Sequence, residues 1–120
     1  MEKFEDIEQH LSDEITDIFI DEAQFIEGDP NVLVDLSIKR GIYIHVSGLS
    51  RTSEMKPFGH MPEIMALADD IEILDAICNQ CGSGAGYTYC KVPKQNDVMV
   101  GNTEYEPLCF DCFREKIIRQ

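Results

Sequence analysis

"TDIFIDEAQF", residues 16–25, sets an apolar run in front of two adjacent acids, Asp21 and Glu22. Ile15 to Ile20 is apolar and rich in β-branched residues, Asp17 excepted, and predicts a largely buried strand. Strands that end this way often deliver carboxylates to a magnesium-phosphate site. Such a site also needs a glycine-rich phosphate loop upstream, yet residues 1–15 contain no glycine.

The sequence downstream extends the strand into a unit. Gly28-Asp29-Pro30 predicts a turn, with Asp29 as helix N-cap and Pro30 at the first helical position. A helix follows through Val32, Leu33, Leu36 and Ile38 and ends at Arg40-Gly41, where glycine suits the cap. "IYIHVSGL", residues 42–49, is a second strand. Strand, helix, strand over this length is a βαβ unit, so the strands should run parallel. Upstream, Phe4, Ile7 and Leu11 lie at helical spacing in an acidic segment. After a polar loop from Ser50 to Lys56, "PEIMALADDIEIL" predicts a helix that starts at Pro62 and runs into the cysteine region. From Cys78 onward glycine and aromatics rise and helical periodicity stops. The expected division is therefore residues 1–76, a partial α/β core, and 77–120, a small second domain.

Composition narrows the classes. The chain has 120 residues, 43% of them hydrophobic, enough for one small core. Its 23 acids against 10 Lys and Arg give a formal charge of -13. Phosphate backbones should repel such a surface unless cations cluster, and only Arg114, Lys116 and Arg119 come close to doing so. Nucleic-acid binding is thereby disfavoured. No apolar run approaches a membrane span and no signal peptide opens the sequence, so a cytoplasmic protein without a membrane partner is expected.

Four of the five cysteines form two pairs, Cys78-Asn-Gln-Cys81 and Cys109-Phe-Asp-Cys112, with Cys90 apart. Two C-x-x-C turns can present four thiolates to one tetrahedral ion, and zinc suits soft thiolates. Four protein ligands leave no open position, so the zinc would be structural. A segment this poor in apolar residues needs such a staple. "GSGAG", residues 82–86, lacks the Gly-Lys-Ser/Thr ending of a phosphate loop, and no helix is expected after it. It reads as the flexible turn of a zinc knuckle.

Asp21 and Glu22 have a plain reading as acids where a strand meets water. Adjacent strand residues point to opposite faces, which would instead give each acid its own task. One would face a magnesium-nucleotide, the other an acceptor hydroxyl.

"IDEAQF", then "GL", then "KPFGHMPEIMALAD", then C-x-x-C and Y-x-x-x-C-x-x-C occur in one order. Over about residues 15 to 113 this resembles the carboxy-terminal part of a type II thymidine kinase. These are P-loop enzymes of nucleoside salvage that move the γ-phosphate of ATP to the 5′-hydroxyl of thymidine. The resemblance implies that Glu22 is the base that takes the hydroxyl proton and that Asp21 lies on the magnesium-phosphate side. It implies that Gln24, Phe25, Leu49, Phe58 and Thr88 belong to the nucleoside site. A lasso strand from Val98 to Tyr105, with Val98, Val100, Gly101 and Tyr105, would read the base edge. Cys78, Cys81, Cys109 and Cys112 would hold zinc.

Three departures accompany it. The phosphate-loop half is missing, Ser50 and Ser53 stand where the family has Asp and Phe, and Cys90 stands where it has Arg. The expectation is a partial P-loop-kinase-type parallel sheet followed by a zinc-ribbon and lasso domain. It would be one product of a split gene, a truncated copy or a fragment, and would use Mg-ATP only with a complementing half. An open sheet edge would receive that half or another copy. The alternative is a catalytically inactive zinc-ribbon module, derived from such a kinase, that binds a nucleoside or a partner.

Overall fold

The computed structural model describes residues 2–91 and 105–119. They form two units, Met1–Arg51 with Pro57–Ile71, and Thr52–Lys56 with Glu72–Gln120. Each is a small α/β or β-rich assembly with short sheets.

The first unit is built on the expected βαβ. Strand β1, Asp17–Ile20, pairs in parallel with β2, Tyr43–Val46, in the register Asp17 to Tyr43 through Ile20 to Val46. Helix α1, Asn31–Arg40, connects them. The helix begins one residue later than expected, with Pro30 as N-cap and Asn31 first in the helix; Asp29, just before it, accepts the Asn31 N–H at 3.0 Å and the Asn31 side-chain amide at 3.0 Å. These bonds hold the Asp29 carboxyl below its usual range. Gly41 ends the helix at φ +65°, a left-handed turn that costs glycine little, and its N–H reaches the Ser37 carbonyl at 3.0 Å. Leu33 and Leu36 face a core with Ile20, Ala23, Ile26, Met61 and Ile64. Phe4 and Ile7 enter the same core from a 3-10 helix, Phe4–His10, which accounts for their spacing upstream.

Asp29→Ala is expected to lower the urea midpoint of unfolding, because an orphan helix N–H loses its acceptor. The sign of the pH dependence follows from the depressed carboxyl. Its contribution is complete above the unfolded carboxylate value of about 3.9. It is lost as pH falls through the lower folded value, so the unfolding curves of wild type and variant should converge in acid.

Two further expectations change in this unit. The strand is not largely buried: Ile20 is, but Phe19 is 76% exposed and Asp17 is exposed. Among the described residues β1 has one sheet neighbour, and only one face of the pair meets α1 and the core. The other face carries Phe19 stacked on His45, ring centroids 4.4 Å apart, and the exposed Tyr43. The second change is helix α2, which starts as expected but spans only Met61–Leu67. Ala68 turns to extended backbone (φ -75°, ψ 142°). Asp69, Asp70 and Glu72 follow, and acids at the negative end of a helix dipole oppose its continuation. Ile71, Ile73 and Leu74 are exposed instead of forming a helical stripe.

The second unit consists of two hairpin-like pairs and a helix. Strand β3, Ala76–Ile77, pairs antiparallel with β4, Gly84–Ala85. Strand β5, Tyr87–Cys90, pairs antiparallel with β6, Tyr105–Leu108. Helix α3, Phe110–Ile118, closes the unit. Thus "GSGAG" is a turn that becomes a strand, and helical structure does return after Cys78. Phe110, Phe113 and Ile117 hold the helical spacing that marks it. The core is Cys78, Ala85, Leu108, Cys112 and Phe113. Tyr87 stacks on Phe113 with centroids 5.2 Å apart.

Candidate active site and metal centre

In the first unit the two parallel strands place their carboxyl ends side by side, the usual place for a site in an open α/β sheet. Asp21 and Glu22 follow β1, and Ser47, Gly48 and Leu49 follow β2. The Ser47 N–H donates to the Ile20 carbonyl at 2.9 Å, and the Ala23 N–H donates back to the Ser47 carbonyl at 3.1 Å. These bonds stitch the two chain ends together.

The acids diverge, but not by strand alternation as expected. The strand stops at Ile20, and Glu22 adopts left-handed backbone, φ +54° and ψ +43°, ahead of a 3-10 turn at Ala23–Phe25. A non-glycine residue there costs about 1–2 kcal/mol and persists when its surroundings enforce it. The consequence is that the carboxylates enter separate networks. Asp21 Oδ1 accepts from the Ser47 hydroxyl at 2.8 Å and from the Glu22 N–H at 2.9 Å. Glu22 Oε2 accepts from Gln24 Nε2 at 3.0 Å. Gln24 is buried, and its Oε1 accepts the Leu49 N–H at 3.0 Å.

Two glycines make room for Gln24, one for its amide and one for its backbone. A Cβ on Gly48 would stand 2.7 Å from Gln24 Oε1 and 3.0 Å from Met61 Sδ. Gly59 has φ +52°, and a Cβ there would collide with the Gln24 backbone carbonyl. Gly59→Ala should therefore destabilise the first unit by about 3 kcal/mol, combining the left-handed penalty with overpacking. A urea midpoint unchanged from wild type would contradict this.

Phe25 and Phe58 meet edge to face, centroids 5.4 Å apart and planes at 87°, beside Glu22. Leu49 is half exposed. A groove of about 630 Å³ runs along β1 past Ile7, Leu11 and Ile18 and ends at Asp21, Glu22 and Phe25. Of the expected site residues, the first unit thus gathers Asp21, Glu22, Gln24, Phe25, Leu49 and Phe58. Ser47, Gly48 and Gly59 escaped the sequence reading. Ser47-Gly48 follows β2 as Asp21-Glu22 follows β1, so the parallel pairing was the signal that could have found them.

In the second unit the two C-x-x-C turns converge. The sulfurs of Cys78, Cys81, Cys109 and Cys112 all lie within 4.8 Å of one another, and those of Cys81 and Cys109 are 3.7 Å apart. Tetrahedral zinc, about 2.3 Å from each thiolate, sets sulfurs about 3.8 Å apart, so the quartet could hold it. The first turn closes when the Gly82 N–H reaches the Cys78 carbonyl at 3.0 Å, with Gly82 at φ +82°. The second opens α3: Cys109 is its N-cap residue and Cys112 lies in its first turn. Asn79 ties the knuckle to β6, its N–H on the Pro107 carbonyl at 2.9 Å and its side-chain amide on Glu106 at 2.8 Å. That amide holds the Glu106 carboxyl below its usual range, and Lys116 adds to the effect.

The thiols are unequal. Burial opposes ionisation of Cys78, but backbone hydrogen bonds from Cys109, Cys81 and Gln80 outweigh it and bring the thiol down to about 6. Ser83 lowers Cys81. Cys112 is raised by its hydrogen bond with Cys109 and by burial. Four thiolates this close need a cation among them to carry charge together.

Thr88 lies half buried on β5 opposite Pro107, and Tyr105 pairs with Cys90 at the start of β6. Val98, Val100 and Gly101 lie outside the described residues. Two of the tail cations are matched by acids, Lys116 with Glu106 at 3.5 Å and Arg119 with Glu115 at 2.7 Å. No helix among the described residues is long and apolar enough to cross a membrane.

The sequence matches the family model described as thymidine kinase over residues 1–113. It is 37% identical over 107 residues to the thymidine kinases of two strains of Porphyromonas gingivalis, covering 88% of this chain and 52% of each relative. The chain spans about half the length of the curated relatives it matches.

Proposed function

The chain belongs to the thymidine kinase family, and on that premise we propose that it supplies the acceptor side of ATP-dependent phosphoryl transfer to the 5′-hydroxyl of thymidine. The observation that carries this reading is the pair of carboxylates at the carboxyl end of β1, held in separate networks. Phosphoryl transfer asks a protein mainly for positioning and charge stabilisation, with one carboxylate to orient the nucleophile. Glu22, anchored through one oxygen, takes the hydroxyl proton. Asp21 is fixed through Oδ1 alone among the described residues, and Oδ2 is the atom to face magnesium. That ion, when bound with ATP, neutralises phosphate oxygens. Phe25, Phe58 and Leu49 border the nucleoside beside Glu22.

These 120 residues hold no G-x-x-x-x-G-K-[ST] motif. The grip on the triphosphate then comes from outside them, on the same polypeptide or another. Among the described residues β1 pairs only with β2, and that edge and its groove support a phosphate-loop strand joining there, since an unpaired edge is a ready template for another strand. In this reading the cysteine quartet holds structural zinc, and the site works in the cytoplasm on thymidine, without membrane or nucleic acid.

The test is complementation. The chain alone should show no micromolar binding of Mg-ATP by calorimetry. Mixed with or fused to a phosphate-loop half from a related kinase, it should phosphorylate thymidine. Tight ATP binding by the chain alone, or no phosphorylation with any half while thymidine still binds, would overturn the proposal.

A further inference from the structure

We propose that Gln24 is a positioning residue for Glu22, tying the carboxylate to the strand end at Leu49 so that the two move together. This rests on reading Glu22 as the base, and it moves Gln24 from the nucleoside-binding set to the supporting structure beneath it.

The chemistry of the partners fixes the amide. The Leu49 N–H can only donate, so the Gln24 atom that meets it at 3.0 Å is the oxygen. The nitrogen therefore faces Glu22 Oε2, also at 3.0 Å. An amide donating to a carboxylate is charge-assisted and stronger than a neutral pair. Only 4% of Gln24 is exposed, and a buried amide that lost either partner would be left with an unsatisfied polar group. Gly48 lines the slot so closely that a side chain there would displace the amide, and Gly59 leaves room for the Gln24 backbone carbonyl.

The arrangement splits the Glu22 carboxylate between two tasks. Oε2 is held by Gln24, whereas no described residue bonds Oε1, which is the oxygen able to accept a proton. Left-handed backbone at Glu22 aims the side chain, and Gln24 fixes its far end. A nucleoside reaching Gln24 directly would have to open the slot. One that presses on the half-exposed Leu49 instead acts on the base through the Leu49 N–H and the amide.

The test has a structural and a kinetic arm. In NMR spectra of this chain with zinc, the Gln24 side-chain amide should show one downfield, slowly exchanging proton. Glu22→Gly suits the left-handed backbone and removes the side chain, and with it the carboxylate that meets Gln24. It should return that proton to the position and exchange rate of a free amide while the Leu49 N–H signal persists. Unchanged Gln24 signals in Glu22→Gly would overturn the proposal. The kinetic variant is Gln24→Glu, which keeps shape and the acceptor for Leu49 but turns the donor into a repelling oxygen. In the complemented kinase kcat should fall about a hundredfold, the cost of a misplaced reacting group, with the KM for thymidine little changed. A raised KM with kcat intact would make Gln24 a direct nucleoside contact and overturn the proposal. The NMR arm is read on this chain alone. It decides the matter if Gln24→Glu does not fold, and it stands apart from any failure of thymidine phosphorylation.

Discussion

Cys109→Ser is expected to release the metal and unfold the second unit. Purified wild-type chain should carry one zinc, measured by elemental analysis, and the variant close to none. The size of the effect follows from the core. Cys78, Ala85, Leu108, Cys112 and Phe113 make up the buried cluster, so two of its members belong to the cysteine quartet that could hold the ion. Without the ion, Ala85, Leu108 and Phe113 remain to hold two short strand pairs and a helix. Structural zinc contributes an apparent 10–16 kcal/mol to folding in small zinc domains. That equals or exceeds the whole stability of an ordinary domain, about 5–15 kcal/mol. Losing one thiolate of four should therefore collapse the NMR dispersion of Leu108 and Phe113. Strong chelators should do the same to the wild type. Cys90→Ser is the control, because Cys90 lies outside the quartet and should leave the zinc content unchanged. A Cys109→Ser chain with full zinc and native dispersion would remove the metal assignment.

What the sequence made legible was local. Gly28-Asp29-Pro30 and Gly41 bracket α1 because caps and left-handed turns are written in the residue types that form them. Phe4 and Ile7 were readable as a buried stripe, and the two C-x-x-C turns as one ion site. What escaped was set by tertiary context. A run such as Ile15 to Ile20 looks buried on both faces, but burial of Phe19 depends on what covers that face. Left-handed backbone at Glu22 is invisible because glutamate has no preference for it; the stitching of Ser47 to Ile20 and Ala23 imposes it. The early end of α2 was open to reading, since Asp69-Asp70 sits where a helix disfavours acids, but the apolar residues beyond masked it. Gln24 looked like one more polar residue of a binding motif. Its amide is accommodated by Gly48 and its backbone by Gly59, which are 24 and 35 residues away in sequence.

Glu22→Gln should lower the turnover of the complemented kinase by about a hundred- to ten-thousand-fold, the range expected when a general base is lost. The substitution is nearly isosteric and keeps an oxygen for the Gln24 amide, so the left-handed backbone, the slot and the border formed by Phe25, Phe58 and Leu49 should stay in place. Thymidine KM should then change little, the signature of an interaction made only in the transition state. Glu22→Asp separates reach from charge. Aspartate tolerates left-handed backbone better than most residues, but it is one methylene shorter and cannot both meet Gln24 Nε2 and reach the nucleoside. It should recover the carboxylate without recovering the rate. Asp21→Asn should behave differently, because Asp21 is held by Ser47 and the Glu22 N–H and is proposed to serve magnesium rather than the proton. Its expected effect is a higher magnesium requirement with turnover partly restored at saturating metal. The two acids are thus told apart by the metal dependence of the defect. If Glu22→Gln keeps wild-type turnover in an active complemented kinase, or if magnesium rescues it as it rescues Asp21→Asn, the proton acceptor is not Glu22 and the roles assigned to the pair must be exchanged or abandoned.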